Sequence, residues 1–249
     1  MWNNFIIITF LFLPIITYSQ DTVLEQDVQD QLEHIDRGLG NAKHIITSNN
    51  KFGFNVSSLY ENDSIQTRPG SFAFNIGMQE LWGHKIKIGY SLEYQFNVYR
   101  IRQDSGVNLL SLNLEHDKQN LSLSKINLGP VIRIKLNNKG NKIGQYLDLG
   151  AYGSINFGYA LFTRDKVDPA LYEGTQTIEQ KRLRLDYINR WSYGLEASLG
   201  QNSLNIWAKY RLSDSFKQSN NINNGNLLPE LPRLFIGIGF SFASIAKED

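Results

Sequence analysis

The chain of 249 residues contains no cysteine, which excludes disulfides and thiolate metal sites. It also lacks an excess of charge of either sign. Its 25 basic and 24 acidic side chains give a formal charge of +1, so it carries no basic footprint for nucleic acid, and no such partner is expected. Histidine is scarce: His34, His44, His84 and His116 stand at no metal-ligand spacing, and neither an HExxH nor a nucleophile-elbow pattern occurs. There is no phosphate-cradling glycine loop, since Gly150, Gly153 and Gly158 fall inside a strand-like stretch where glycine relieves crowding. The expectation is therefore a protein without cofactor, metal or catalytic residues, and not an enzyme.

Long apolar runs are almost absent too. Phe5 to Thr17, FIIITFLFLPIIT, is the one continuous run, and about 13 residues is short for a spanning helix. At its end Thr17 and Ser19 stand at the spacing a signal peptidase reads, although Trp2-Asn3-Asn4 before it carries no positive side chain. Residues 1–19 are expected to be an export signal, with an uncleaved anchor as the competing reading. In residues 20–50, Leu24, Val28, Leu32, Ile35 and Leu39 recur at helical spacing against an acidic face of Asp21, Glu25, Asp27, Asp30, Glu33 and Asp36. That predicts a short periplasmic amphipathic helix, either packed at a barrel end or docking a periplasmic partner. Its acidity argues against an anionic lipid surface.

What is abundant is period-two alternation. In His84 to Ile101, HKIKIGYSLEYQFNVYRI, the positions Ile86, Ile88, Tyr90, Leu92, Tyr94, Phe96 and Val98 alternate with Lys85, Lys87, Gly89, Ser91, Glu93, Gln95 and Asn97. Successive strand side chains point to opposite faces, so this is a strand with one apolar and one polar face. The pattern recurs in Phe52–Val56, Ser71–Trp82, Leu121–Ile134, Tyr146–Phe162, Arg182–Leu199, Leu204–Leu212 and Leu234–Phe242. In the fourth of the eight, Leu121 and Leu123 are out of phase with Ile126 and Leu128, which predicts a bulge near Ser124 or Lys125. Pro130 removes a ladder donor in the same strand.

The apolar face holds Tyr90, Tyr94, Phe96, Trp191, Tyr193 and Phe240, while the other holds glycine, serine and charges. An eight-stranded barrel has an interior just wide enough for side chains, so the small and pairable residues belong inside and the bulky ones face lipid. A soluble barrel with the faces reversed is the structural rival. The predicted fold is all-β: an eight-stranded antiparallel transmembrane β-barrel over residues 51–244, a tail at 245–249, and the short N-terminal helix. Trp82, Tyr60, Tyr146 and Tyr210 lie near strand ends, as an interfacial girdle would. Glu93, Asp148, Asp186 and Glu196 with Arg133, Arg184, Arg190, Lys209 and Arg211 form the expected lumen network. Long polar connections alternate with short ones, which puts both termini in the periplasm and the long loops outside the cell.

The strand textures LSKINLGPVIRIKL, YLDLGAYGSINFGYA, RWSYGLEASLG with LNIWAKYRLSDSF, and the terminal LFIGIGFSF resemble the outer-membrane β-barrel family that includes the PorT-like proteins. The resemblance covers about Phe52 to Phe242 and implies a small eight-stranded barrel in the outer membrane, among relatives some of which assist secretion. It also implies that Gly237, Phe240 and Phe242 act as a C-terminal insertion signal for the barrel-assembly machinery. Phe235 departs from that signal, and Ala243 to Asp249 extend past it. The expected role is structural or interactive at the cell envelope, with outer-membrane lipid as surroundings and a periplasmic or secretion-system protein as a further partner. A secretion component is the alternative, followed by a lipid-modifying enzyme using Glu115, His116 and Asp117.

Overall fold

The computed structural model describes residues 42–56, 70–101, 117–137, 143–166, 177–183, 185–217 and 230–245. The expected signal, the N-terminal helix, Tyr60, Glu115, His116 and Arg184 lie outside the described residues. Within them the protein is all-β, with strands β1 (His44–Asn55), β2 (Phe72–Gly83), β3 (Ile86–Ile101), β4 (Lys118–Lys135), β5 (Gln145–Lys166), β6 (Thr177–Leu183), β7 (Trp191–Gln201), β8 (Leu204–Arg211) and β9 (Leu234–Ile245).

All pairings are antiparallel. The order β4-β3-β2-β1-β9-β8-β7-β5, closed by β4 against β5, is a ring of eight, and β6 pairs only with β5 from Ala160 to Lys166. Full closure leaves the ring without an unpaired edge. His44 and Ile245 lie at the same end as the short turns, Gly83 to Ile86 and Gln201 to Leu204. Asn202 takes a positive φ of 54° in the second of these, a conformation asparagine tolerates.

The strand count corrects the expectation at one place. Arg182–Leu199 alternates as though continuous, yet the chain is split into β6 and β7. Between them it leaves the wall: Ile188 bridges Phe216, the Asn189 amide donates to the Ser215 carbonyl at 2.8 Å, and the Lys217 amide donates to the Tyr187 carbonyl at 2.8 Å. The gain is apolar burial. Leu185, Ile188, Phe216 and Leu231 pack with Tyr99, Ile101, Leu121, Leu123, Leu161 and Phe235, filling the long-connection end of the lumen with hydrocarbon.

The bulge falls where expected, at Ser124 and Lys125, but its extra residue is on the neighbouring strand. β4 keeps one phase throughout, with Leu121, Leu123, Lys125, Asn127, Val131 and Arg133 all buried. The register shift falls opposite Ser124 and Lys125, where Gly158 and Asn156 are their partners and Phe157 is the extra residue in β5. Beyond it β5 is inverted, so Leu161 faces the interior rather than outward. The β4–β5 ladder is interrupted between Leu128–Gly153 and Val131–Gly150, where Pro130 has no N–H to give. β1 starts at His44, earlier than residue 51, because Ile45, Thr47 and Asn49 mix polar and apolar on the buried face and obscure the period.

Trp207 is fully buried, and the wall is thinned to receive it. It pairs with Gly237, which pairs with Gly53. A Cβ on Gly53 would stand 2.5 Å from Trp207 Cζ2, and the indole N–H donates to the Ile238 carbonyl at 3.1 Å. Replacing Gly53 by valine should lower the stability of the folded barrel by about 1–3 kcal/mol through overpacking, read as an earlier urea midpoint in detergent. An unchanged midpoint would mean the indole is not confined there.

Candidate functional site

Among the described residues, the buried charges gather in the lumen. Interior positions come from alternate residues of each ring strand, so residues remote in sequence meet across the axis. At its centre Lys51 (β1), Glu93 (β3), Lys209 (β8) and Glu196 (β7) form a closed ring of alternating sign. Lys51 Nζ donates to Glu93 at 2.6 Å and to Glu196. Lys209 Nζ lies 2.6 Å from the second oxygen of Glu93 and 3.0 Å from Glu196. Lys209 also sits 4.9 Å from the centre of the Tyr152 ring. Lys125, buried beside them, stands 5.9 Å over the same ring and has no ion pair among the described residues.

Toward the short-turn end, Arg133 (β4) grips Asp148 (β5) with two parallel bonds, Nε to Oδ1 at 2.6 Å and Nη2 to Oδ2 at 2.7 Å. Its Nη2 also donates to Gln79 Oε1 at 3.0 Å, and its plane lies 4.0 Å from the Tyr146 ring centre. The planar guanidinium makes this fork-to-fork pairing and stacking possible at once. Lower still, Lys87 Nζ caps backbone carbonyls of Ala42 and Gly83, the latter at 2.6 Å. Asn127 donates to Gln95 at 2.9 Å and accepts from Ser154 at 2.6 Å, while Ser241 links Asn205 and Asn49 at 2.7 and 2.6 Å. A cavity between the ring and Arg133, lined in part by Gln79, Glu93, Asn127, Tyr152 and Glu196, measures about 20 Å³. That is room for about one water.

Of the residues named from sequence, Glu93, Arg133, Asp148, Glu196, Lys209 and Arg211 all face the interior. Arg211 belongs to a separate group near the apolar end, bonded to Glu230 at 2.7 Å and to the Leu231 carbonyl at 2.7 Å. Asp186 and Arg190 are exposed and stand outside the network, because the chain leaves the wall between β6 and β7. Tyr146 is not a girdle residue; it is fully buried under Arg133, whereas Trp82 and Tyr210 do face outward. Gly237 lies on the inner face of β9 and Phe240 and Phe242 on the outer, and Phe235 is buried in the apolar plug.

Sequence reasoning missed Lys51, Lys87 and Lys125. Lys51 precedes Phe52 in phase with Gly53, and extending that strand backward by one residue would have found it.

The central ring and the Arg133–Asp148 fork are ion pairs committed to one another. No group of three or more His, Cys, Asp or Glu that could hold a metal occurs among the described residues. Asp117, from the expected external cluster, accepts from the Lys166 amide at 2.6 Å.

No family model and no curated protein matches the chain. Among solved structures it is similar to the crystal structure of Ail, the attachment invasion locus protein of Yersinia pestis, with a TM-score of 0.31 and 10% identity over 82% of this chain and 96% of that one. At that score the fold rests on the strand register itself.

Removing one member of the central ring leaves buried charge uncompensated. Glu93→Gln should destabilise the folded barrel by about 3–5 kcal/mol. Asp186→Asn and Arg190→Gln, both exposed, should shift it by less than about 0.5 kcal/mol. Urea midpoints in detergent micelles check both, and equal effects at buried and exposed positions would contradict the ring's role.

Proposed function

We propose that this protein is a closed barrel of the outer membrane with a filled lumen, acting structurally or as an interaction platform at the cell envelope and not as a channel or an enzyme. The observation that carries the reading is the reversal of ordinary burial. Phe52, Ile88, Leu128, Trp191, Leu195, Ile206, Ile238 and Phe240 are all exposed, from 41% at Phe52 to 66% at Trp191, on strands all round the ring, while Lys51, Glu93, Arg133 and Lys209 are almost completely buried. A monomer in water rarely leaves so continuous an apolar surface uncovered, and hydrocarbon is the solvent that suits it.

The packing supports a closed lumen. Charges cross-link opposite walls at mid-height, and the apolar cluster fills the far end. Eight strands leave no aqueous channel unless side chains move aside. The connection lengths support termini on the periplasmic side and long loops outside. The textures shared with PorT-like barrels keep a secretion-machine component as the alternative.

Reconstituted in planar bilayers, the purified barrel should give no stepwise conductance. Recurrent single-channel steps from the wild type, abolished by unfolding, would overturn the filled-lumen reading. Purification from mildly solubilised membranes discriminates the roles: the barrel alone favours the structural reading, and stoichiometric partners favour the secretion one.

A further inference from the structure

The apolar outer wall carries one anomaly. Glu80 lies on the outward face of β2 between Met78 and Trp82, and among the described outward side chains of the apolar band it is the only carboxylate. A charge there is unfavourable unless something satisfies it. The cross-strand register supplies partners: Glu80 pairs with Tyr90 of β3 and with Ile46 of β1, and His44 pairs with Trp82. The Tyr90 hydroxyl donates to Glu80 Oε2, and His44 Nε2 lies 2.8 Å from Oε1. Trp82 stands between the other two rings, stacked on His44 at 5.1 Å and tilted against Tyr90 at 5.7 Å.

The carboxylate thus has one donor on each oxygen and a lone pair left on each, since a carboxylate offers about four acceptor sites. Its side chain and that of His44 remain 20% and 21% exposed, and Trp82 and Tyr90 are each about two-fifths exposed. An anion beside the Trp82 and Tyr90 rings, open on one side, is a recogniser of cations, because those ring faces and the carboxylate attract the same charge. Its height decides which cation. Glu80 lies three residues from the end of β2 at Gly83, on the short-turn side. That is about 10 Å along the strand, where a spanning barrel's apolar band meets lipid headgroups.

We propose that His44, Glu80, Trp82 and Tyr90 form a site on the outer wall for the primary ammonium of an amine-bearing phospholipid headgroup. The N–H groups of a primary ammonium can donate to the free lone pairs of Glu80 while the rings flank it, which a quaternary ammonium cannot do and an anionic headgroup opposes. The site rests on the membrane-spanning reading above, and it fixes both the class of lipid and the leaflet, that of the short turns.

Native mass spectrometry of the full protein released from detergent micelles, with dioleoyl phosphatidylethanolamine or dioleoyl phosphatidylglycerol added in equal amounts, tests it. The wild type should retain the ethanolamine lipid about tenfold better, as expected of a hydrogen bond to a charged group. Glu80→Gln, nearly isosteric and at an outward position, should abolish the preference, and Trp82→Leu should weaken it several-fold through loss of the ring. Equal retention of the two lipids by the wild type, or a preference unchanged in Glu80→Gln, overturns the site. A wild-type protein that stays monodisperse without detergent would instead overturn the membrane reading, so the two failures are distinct.

Discussion

The structure depends on four charges meeting at the axis of a narrow barrel. Lys51, Glu93, Lys209 and Glu196 come from four different strands, and each cation touches both carboxylates. Taking an ion out of water costs several kcal/mol, so such a set survives only when complete. Completeness in turn demands that β1, β3, β7 and β8 hold their registers, since sliding any strand by one residue would turn its charge outward. Arg133 does the same for β4, β5 and β2 through Asp148 and Gln79. Ser241 brings in β9 by bridging Asn205 and Asn49. Every strand of the ring is thereby fixed by a polar contact across the interior.

From this follows the stratification of the lumen. Ionic and amide side chains occupy the middle and the short-turn half, where they stiffen the wall. The long-connection half is filled by hydrocarbon, to which the segments around Ile188, Phe216 and Leu231 contribute from outside the strands. With the ions of the central ring paired inside, the outer wall is the surface that must find its own solvent. On the proposed reading its aliphatic and aromatic cover meets lipid, and the one carboxylate of its apolar band among the described residues is held by neighbours on both flanking strands.

Much of this was legible in the chain because a strand's period of two is read directly from residue order. Glu93, Asp148, Glu196 and Lys209 fell on the polar phase and are in the lumen. The closed ring followed from the repetition of alternating strands, and the reversal of inside and outside from side-chain size. What was not legible is where alternation persists without a wall. Asp186 and Arg190 keep the phase of β7, but the chain has turned inward to bury Leu185 and Ile188, a tertiary preference that no local pattern encodes. The bulge was visible as a mismatch between Leu121 and Ile126, yet the extra residue is Phe157 on the neighbouring strand. A single strand's phase can be reassigned either by a kink in itself or by apolar residues facing inward, and only the partner register separates the two. Tyr146 looked like an interfacial aromatic, but it supplies the face on which the Arg133 guanidinium stacks.

Carbene footprinting from photoactivatable acyl chains in proteoliposomes reads the orientation of every strand in the unaltered protein. The account predicts adducts at Phe52, Ile88, Leu195, Ile206 and Phe240 and none at Lys51, Glu93, Asn127 or Arg133. Adducts on the second set with the first set unmarked would mean that the charged face meets the bilayer, contradicting the account at its root.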